Sequence, residues 1–447
     1  MQTTNSQSPP NEAPASNALF QDKNFVWMLI GGITSMLGDQ FTMIALPWLV
    51  LQLSNDAAQL GLALALLGVP RAVLILIGGA VVDRYSPKRV LMLSKHINTA
   101  LLLILIFAIL SAHIQLWMLH AIALALGIST AFSIPSGSSM LPRVVSKEHL
   151  QKANGMMLSL RQVTFFLGPI MAGGLIALID HNKTSTSTNS TYYGIAAAFA
   201  FDCFSYAFSA WTLSRVQVRT LDANANPHKE SSKKTGLLTD TIDGLRYCWN
   251  DVMLRTCFLY WSAIAFFVMG PLQIAMPLLA QHINNSASTL GLLGGTHGAG
   301  TLVGMVFASV FPRLRLGNLG RTLLLVDAII ALLFAPLGWV DSSWPAASLL
   351  FVIGLLGGFL HVAVFTWIQS RVAPNMLGRT MSVFMFIFMG IGPISAAITG
   401  YVMQHFSLSQ LFGASSVLLL VIVIIAIIVT PLKQMEEAKP QQAPAGS

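Results

Sequence analysis

The chain has 447 residues, a formal net charge of +8, and 54% hydrophobic against only 9% charged residues, with a mean hydropathy of +0.68. Ordinary soluble domains carry about 25% charged residues, so a soluble multi-domain protein is excluded, and the lack of long alternating strands argues against a β-barrel. Cys203, Cys248 and Cys257 are too few and too scattered for a disulfide framework or a metal site, so neither a metal nor a cofactor is expected.

Residues 1–24 are rich in Pro, Ser, Asn and Gln and lack a basic start followed by an apolar run. They read as a disordered tail, not a signal peptide. Twelve apolar runs follow, at about 25–51, 60–82, 90–112, 115–138, 154–179, 192–214, 253–280, 289–311, 321–340, 346–369, 378–403 and 410–431. Runs of this length cross a bilayer as helices, because hydrocarbon offers no partner to free backbone groups. The fold class expected is an all-α membrane protein of twelve transmembrane helices in two pseudo-symmetric six-helix bundles, 25–215 and 253–431. A linker over 216–252 joins them and a second tail covers 432–447.

Charge placement orients the chain. With both termini on one side, that side holds all of the 25 Lys and Arg except Arg71 and Arg161, inside spans, and Lys183. Lys95 is counted there with Arg84, Lys88 and Arg89. This is the positive-inside pattern. It predicts cytoplasmic termini and accounts for the basic balance without nucleic acid. In the linker, the stretch GLLTDTIDGLRYCW places Leu237, Leu238, Ile242, Leu245 and Trp249 on one helical face. Such a helix either lies along the inner membrane surface or packs on the bundle's own loops.

The two halves echo each other. Span five contains LGPIMAGG (167–174) and span eleven IGPISAAITG (391–400), after similar inner loops, PRVVSKEHL (142–150) and SRVAPNMLG (370–378). Repeated halves of six helices suggest a pseudo-two-fold transporter.

The short link between spans two and three reads GGAVVDRYSPKRV (78–90) and concentrates Asp83, Arg84, Lys88 and Arg89 between oily runs. An acid there favours a nearby helix N-terminus, and the bases pair with acids or lipid phosphates. The charges either hold helices that part and re-form or simply enforce topology. With the following Leu91, this stretch resembles the loop 2–3 motif of the major facilitator superfamily, a resemblance covering nearly the whole chain. The stretches SMLGDQFTMIALPWLVLQL (35–53), LALLGVPRAVLILIGGAVVDR (64–84), IDGLRYCWNDVMLR (242–255) and MGPLQIAMPLLAQ (269–281) resemble the branch that holds macrolide efflux proteins and the enterobactin exporter. The resemblance implies alternating access and a conformational latch of Gly79, Asp83, Arg84, Lys88 and Arg89. Ser86 and Pro87 depart from the usual pattern and stiffen the turn. It also implies an export motif in span five, with Gly168, Pro169, Gly173 and Gly174 echoed by Gly392 and Pro393. The Arg that many proton-coupled exporters of this family carry in span four is missing from AIALALGISTAF (121–132).

Ionisable residues within spans are costly and mark function or pairing. Asp39 and Arg71 share a depth on adjacent spans, so an ion pair is expected, serving either as a proton site or as a structural tie. Arg161 either binds an anionic group, substitutes for the missing span-four Arg, or snorkels to the interface. Asp202 is a second proton or cation candidate. Asp327 is expected at lipid or a peripheral groove, and His297 and His361 as packing residues. The Met and Phe of MSVFMFIFMG (381–390) and FFVMGPLQIAMP (266–277) either line an adaptable apolar cavity or fill the core.

With no Walker loop and no paired nucleophile and base, ATP drive and enzymatic catalysis are not indicated. The expected protein is a monomeric exporter of hydrophobic or amphipathic small molecules in a bacterial cytoplasmic membrane. Its partners are the substrate, protons and membrane lipid. The rival readings are an exporter of one metabolite such as a siderophore, a lysolipid flippase, and a non-transporting receptor.

Overall fold

A computed structural model describes residues 18–181, 192–218, 237–311, 314–315, 317–373 and 376–435. Most of the polar first part of the linker, 219–236, lies outside the described residues, as do 1–17 and 436–447. Among the described residues the chain is helical throughout, without strands.

The first six spans are α1 (Lys23–Ser54), α2 (Ala57–Arg84), α3 (Pro87–Leu110), α4 (Leu116–Val144), α5 (Lys147–His181) and α6 (Tyr193–Arg215). After the linker helix (Leu237–Asn250) come α7 (Val252–Asn284), α8 (Ala287–Val310), α9 (Leu319–Trp339) and α10 (Ser343–Arg371). The last two are α11, made of Leu377–Phe386, Ile387–Ile391 and Gly392–Val402, and α12 (Leu408–Val429). Eleven of the twelve cross a membrane by length and apolarity alone; α6, which carries Asp202, is the twelfth.

Three acids outside the spans start helices. Asp22 accepts from the Asn24 and Phe25 amides, Asp56 from Ala58, and Asp251 from Met253 and Leu254. Each satisfies donors that a helix N-terminus leaves free. Helices α1 and α7 end alike, on Asn55 and Asn285 in the left-handed conformation, φ 49° and 48°, which Asn tolerates better than most side chains.

Twelve alternating spans put the start of α1 and the end of α12 at one end of the bundle, the basic end. The halves meet in two seams, α2 on α11 and α5 on α8, and both seams lie toward the opposite, far end. A Cβ added to Gly173 of α5 would lie 2.8 Å from the Gly291 Cα of α8 and 2.7 Å from the Ala287 carbonyl oxygen. Only backbones without side chains pack that closely. In the other seam the same holds for Gly400 of α11, where a Cβ would stand 3.0 Å from the Gly61 Cα. Toward the basic end the α5–α8 seam parts. Leu158 of α5 is 59% exposed, and a Cβ on Gly155 would meet nothing within 4 Å.

Helices α7 and α11 each carry one π turn, Ala265–Met269 and Ile387–Ile391. Both turns run straight into a Gly-Pro step, Gly270-Pro271 and Gly392-Pro393. Proline has no N–H to continue the ladder, and the widened turn absorbs the break. The linker helix packs on the first turns of α11, with Gly244 against Arg379 and the Cys248 Sγ 3.8 Å from the Thr380 Oγ1. Just after it, Arg371 at the end of α10 grips the Asp251 carboxylate in two hydrogen bonds of 3.1 Å.

Candidate functional site

In the first half, polar side chains of α1, α3 and α6 converge near mid-depth. Asp202 and Tyr206 are four residues apart on α6 and so share a face. That face meets α1 at Gly38, where any side chain would run into Asp202 and Ser205. The Tyr206 hydroxyl donates to Asp39. The Thr42 hydroxyl donates to Asp202, and Ser205 donates to the other Asp202 oxygen at 3.0 Å. Asp202 is 1% exposed. Among the described residues neither acid has a cation within 4.0 Å.

Two expectations are corrected here. The Asp39–Arg71 ion pair is not formed. Asp39 is engaged by Tyr206, and the Arg71 Nε is buried without a hydrogen-bond partner. Equal depth on adjacent helices does not fix how each is turned about its axis, and α1 packs more closely on α6 than on α2. Lys95 does not belong to the basic-end loop. It sits two turns into α3, donates to Ser35 of α1, and places its ammonium 4.8 Å from the Tyr206 ring centre.

Arg161 is exposed, about one turn below the point where the α5–α8 seam closes at Phe165 and Gly298. Its guanidinium lies 5.5 Å from the Phe165 ring centre. It is close enough to Arg71 and to His361 of the second half for each to feel its charge. His361 belongs to an aromatic group. Its ring centre is 6.1 Å from that of Phe388, 6.2 Å from Phe384 and 6.3 Å from Phe365, and Phe384 and Phe388 are 4.6 Å apart. Phe384 and Phe388 come from the Met- and Phe-rich run of α11.

Asp327 of α9, expected at the periphery, is buried and accepts a 2.6 Å hydrogen bond from the Tyr260 hydroxyl of α7. Nothing in the local sequence of α9 announces a hydroxyl arriving from another helix.

In the loop 2–3 stretch, Ser86 and Pro87 break the chain between α2 and α3, with Pro87 in the first helical position, where its missing N–H is harmless. Lys88 donates to the carbonyls of Ser214 and Val216, at 3.1 and 2.8 Å, and so closes the end of α6. Arg84 and Arg89 are exposed, and the Arg84 guanidinium stands 6.0 Å from the Tyr85 ring centre. The Asp83 side chain and the surroundings of Gly79 lie outside the described residues.

Of the span-five set, Gly168 abuts Gln40 of α1, Pro169 and Gly173 face α8, and Gly174 has open space. Helix α5 continues unbroken through Pro169. Pro393 packs against Gly68 of α2, and Gly392 faces Gln273 of α7. Pro169, Gly173 and Pro393 therefore lie in the seams, Gly392 packs toward α7, and Gly168 packs within the first half.

The chain resembles known proteins along most of its length. It is 24% identical over 429 residues to the multidrug efflux pump Tap of Mycobacterium tuberculosis, covering 92% of this chain and 94% of that one. It is 20% identical over 418 residues to macrolide efflux protein A of Streptococcus pyogenes, with 92% and 97% covered. Among solved structures it superposes on a nucleoside transporter, NupG, with a TM-score of 0.67 at 12% identity, covering 92% of this chain and 100% of that one. A bacterial homologue of the lysosomal transporter Spinster, in its inward-facing, unoccupied conformation, gives 0.67 at 14% identity, with 98% and 100% covered. Residues 28–397 match the sequence profile of the Major Facilitator Superfamily, and with twelve helices in paired halves behind that match, the chain belongs to this superfamily of membrane transporters.

Proposed function

We propose that the chain is a proton-coupled exporter of hydrophobic or amphipathic small molecules, working by alternating access in a bacterial cytoplasmic membrane. The positive-inside pattern makes the basic end cytoplasmic. The observation that carries the reading is the asymmetry of the α5–α8 seam: it is closed toward the far end and parted at the basic end, the geometry expected of a carrier open to the cytoplasm. The efflux functions of the two curated relatives give the direction. In this state an apolar or amphipathic molecule enters from the cytoplasm between the aromatic group of the second half and the polar cluster of the first.

Asp39 and Asp202 are the proton candidates. A carboxylate buried without an ion-paired cation, as Asp202 is, costs several kcal/mol, and a bound proton removes that charge; Asp39 is half-buried beside it. Hydroxyls bond the two acids directly, and the Lys95 ammonium acts on both from beyond ion-pair distance, so no tight ion pair has to be broken. The loop 2–3 residues Gly79, Asp83, Arg84, Lys88 and Arg89 act at the basic end, where the halves meet in the outward-open state. Lys88 anchors that loop to the end of α6.

The test is efflux of a lipophilic dye from cells expressing the chain, with and without a protonophore, for the wild type and Asp39→Asn at equal membrane expression. Protonophore-sensitive efflux that disappears in the variant is the expected result. A wild type that exports no dye would sink the drug-export reading in favour of a single dedicated metabolite.

A further inference from the structure

Two arginines stand where the reading above places the substrate, and their number exceeds what that reading needs. Arg71 is at mid-depth on α2, with its Nε buried and unbonded. A guanidinium carries five N–H donors and no acceptor, and a buried donor without a partner is rare in folded proteins. Arg161 on α5 is exposed just below the closed seam, and its one ring contact is Phe165. Among the described residues it has no carboxylate within 4.0 Å. Two like charges within reach of each other on different helices repel unless something negative lies between or near them. Asp39 is near enough to Arg71 for its charge to count, but Tyr206 already engages it. Arg161 is left with no such counter-charge.

The opposite wall is apolar. His361 meets Phe365, Phe384 and Phe388 edge-on and face-on, and His361 also lies within reach of the Arg161 charge. One molecule spanning the cleft therefore meets guanidinium groups at one end and aromatic rings at the other.

We propose that the substrate is an amphipathic organic acid, its anionic group taken by Arg161 with Arg71 behind it and its apolar body laid against the half-buried rings of Phe365 and Phe388 beside His361. This rests on the exporter reading and narrows its substrate class. Arg is suited to the task because its planar fork bonds a carboxylate or phosphate in two places. A lipophilic cation of the same size meets repulsion at Arg161.

The test separates binding from transport. The purified full chain in neutral detergent is titrated with dansyl-labelled undecanoate and with its methyl ester, and dansyl fluorescence reports binding. The acid is expected to bind about tenfold or more tightly than the ester, the difference typical of a charge-assisted hydrogen bond. Arg161→Gln removes that difference and leaves the ester unchanged, and Arg161→Lys restores part of it. Equal binding of acid and ester, no binding of either, or an acid affinity indifferent to Arg161→Gln overturns the proposal. Because Arg161 is exposed, its variants fold even where Arg71→Gln does not. Efflux from proteoliposomes is measured separately. Acid binding without efflux leaves the anion site standing and sinks the exporter reading. Efflux of a cationic dye that Arg161→Gln does not change does the reverse.

Discussion

Gln52 of α1 donates to the Asn285 side chain that ends α7, at 3.0 Å, and Gln281 of α7 returns the bond to Asn55 at the end of α1, at 2.7 Å. The two halves thus clasp each other at the far end with the same device used twice, once in each direction. Gln404 beside α11 adds a longer contact, 3.4 Å, to Asp56 at the start of α2. All these groups are neutral or singly charged and half-buried or exposed, so each bond is weak, about 0.5–1.5 kcal/mol. A weak clasp is what the proposed alternating access requires of the far end.

The double variant Gln52→Ala, Gln281→Ala is expected to shift the carrier toward far-end opening by about fivefold for each bond lost, if each contributes about 1 kcal/mol. Spin labels at the exposed positions Trp117 and Trp344, on opposite halves at the far end, would read the change as a longer-distance population. An unchanged distance distribution would show that the clasp carries no weight.

The α5–α8 seam gives a sharper contrast. Gly173→Val puts methyl groups into the Gly291 backbone, and overpacking of this kind costs about 1–3 kcal/mol. The neighbouring Gly174→Ala enters open space and is expected to be silent. Transport measured for the pair at matched expression should fall for the first and hold for the second. Equal loss in both would mean that the seam is not the sensitive surface.

Lys88→Met leaves two carbonyls at the end of α6 without their donor. The expected loss is about 1–3 kcal/mol, seen as a lower unfolding midpoint in detergent, with Lys88→Arg retaining most of the stability. If Lys88→Met unfolds as the wild type does, the lysine acts through the loop's motion instead.

Asp251→Ala removes at once the cap of α7 and the partner of Arg371. A lost cap costs about 1 kcal/mol and a partly exposed ion pair up to about 1 kcal/mol more. Asp251→Asn keeps the cap and loses the charge, so the difference between the two unfolding midpoints separates the contributions.

The twelve spans were legible because each is a continuous apolar run, and hydrocarbon imposes one answer on such a run. What the sequence hid lies between helices. Asp39 and Arg71 match in depth, yet Tyr206, more than a hundred residues further along, takes Asp39. Lys95 looked like part of a charged loop because α3 begins only two turns before it. Asp327 looked peripheral because its partner Tyr260 belongs to α7. In each case depth was readable and rotation about the helix axis was not, and rotation decides which side chains meet. For Arg161 the sequence left three roles open, and the structure supplies its neighbours.

The π turns of α7 and α11 bear on how the halves came to differ. Such a turn amounts to one extra residue slipped into a helix. The counterparts of these helices in the first half, α1 and α5, run as unbroken α-helices. Aligned span against span, the two halves therefore fall out of step by one position at Ala265–Met269 and again at Ile387–Ile391, and regain it only through a gap. If both descend from one duplicated ancestor, one copy has since changed length inside two of its helices, both bordering the cleft. A residue gained in the second half and one lost from the first account equally for each mismatch, and either way a change of length, not only of side chains, shapes the helices at the cleft.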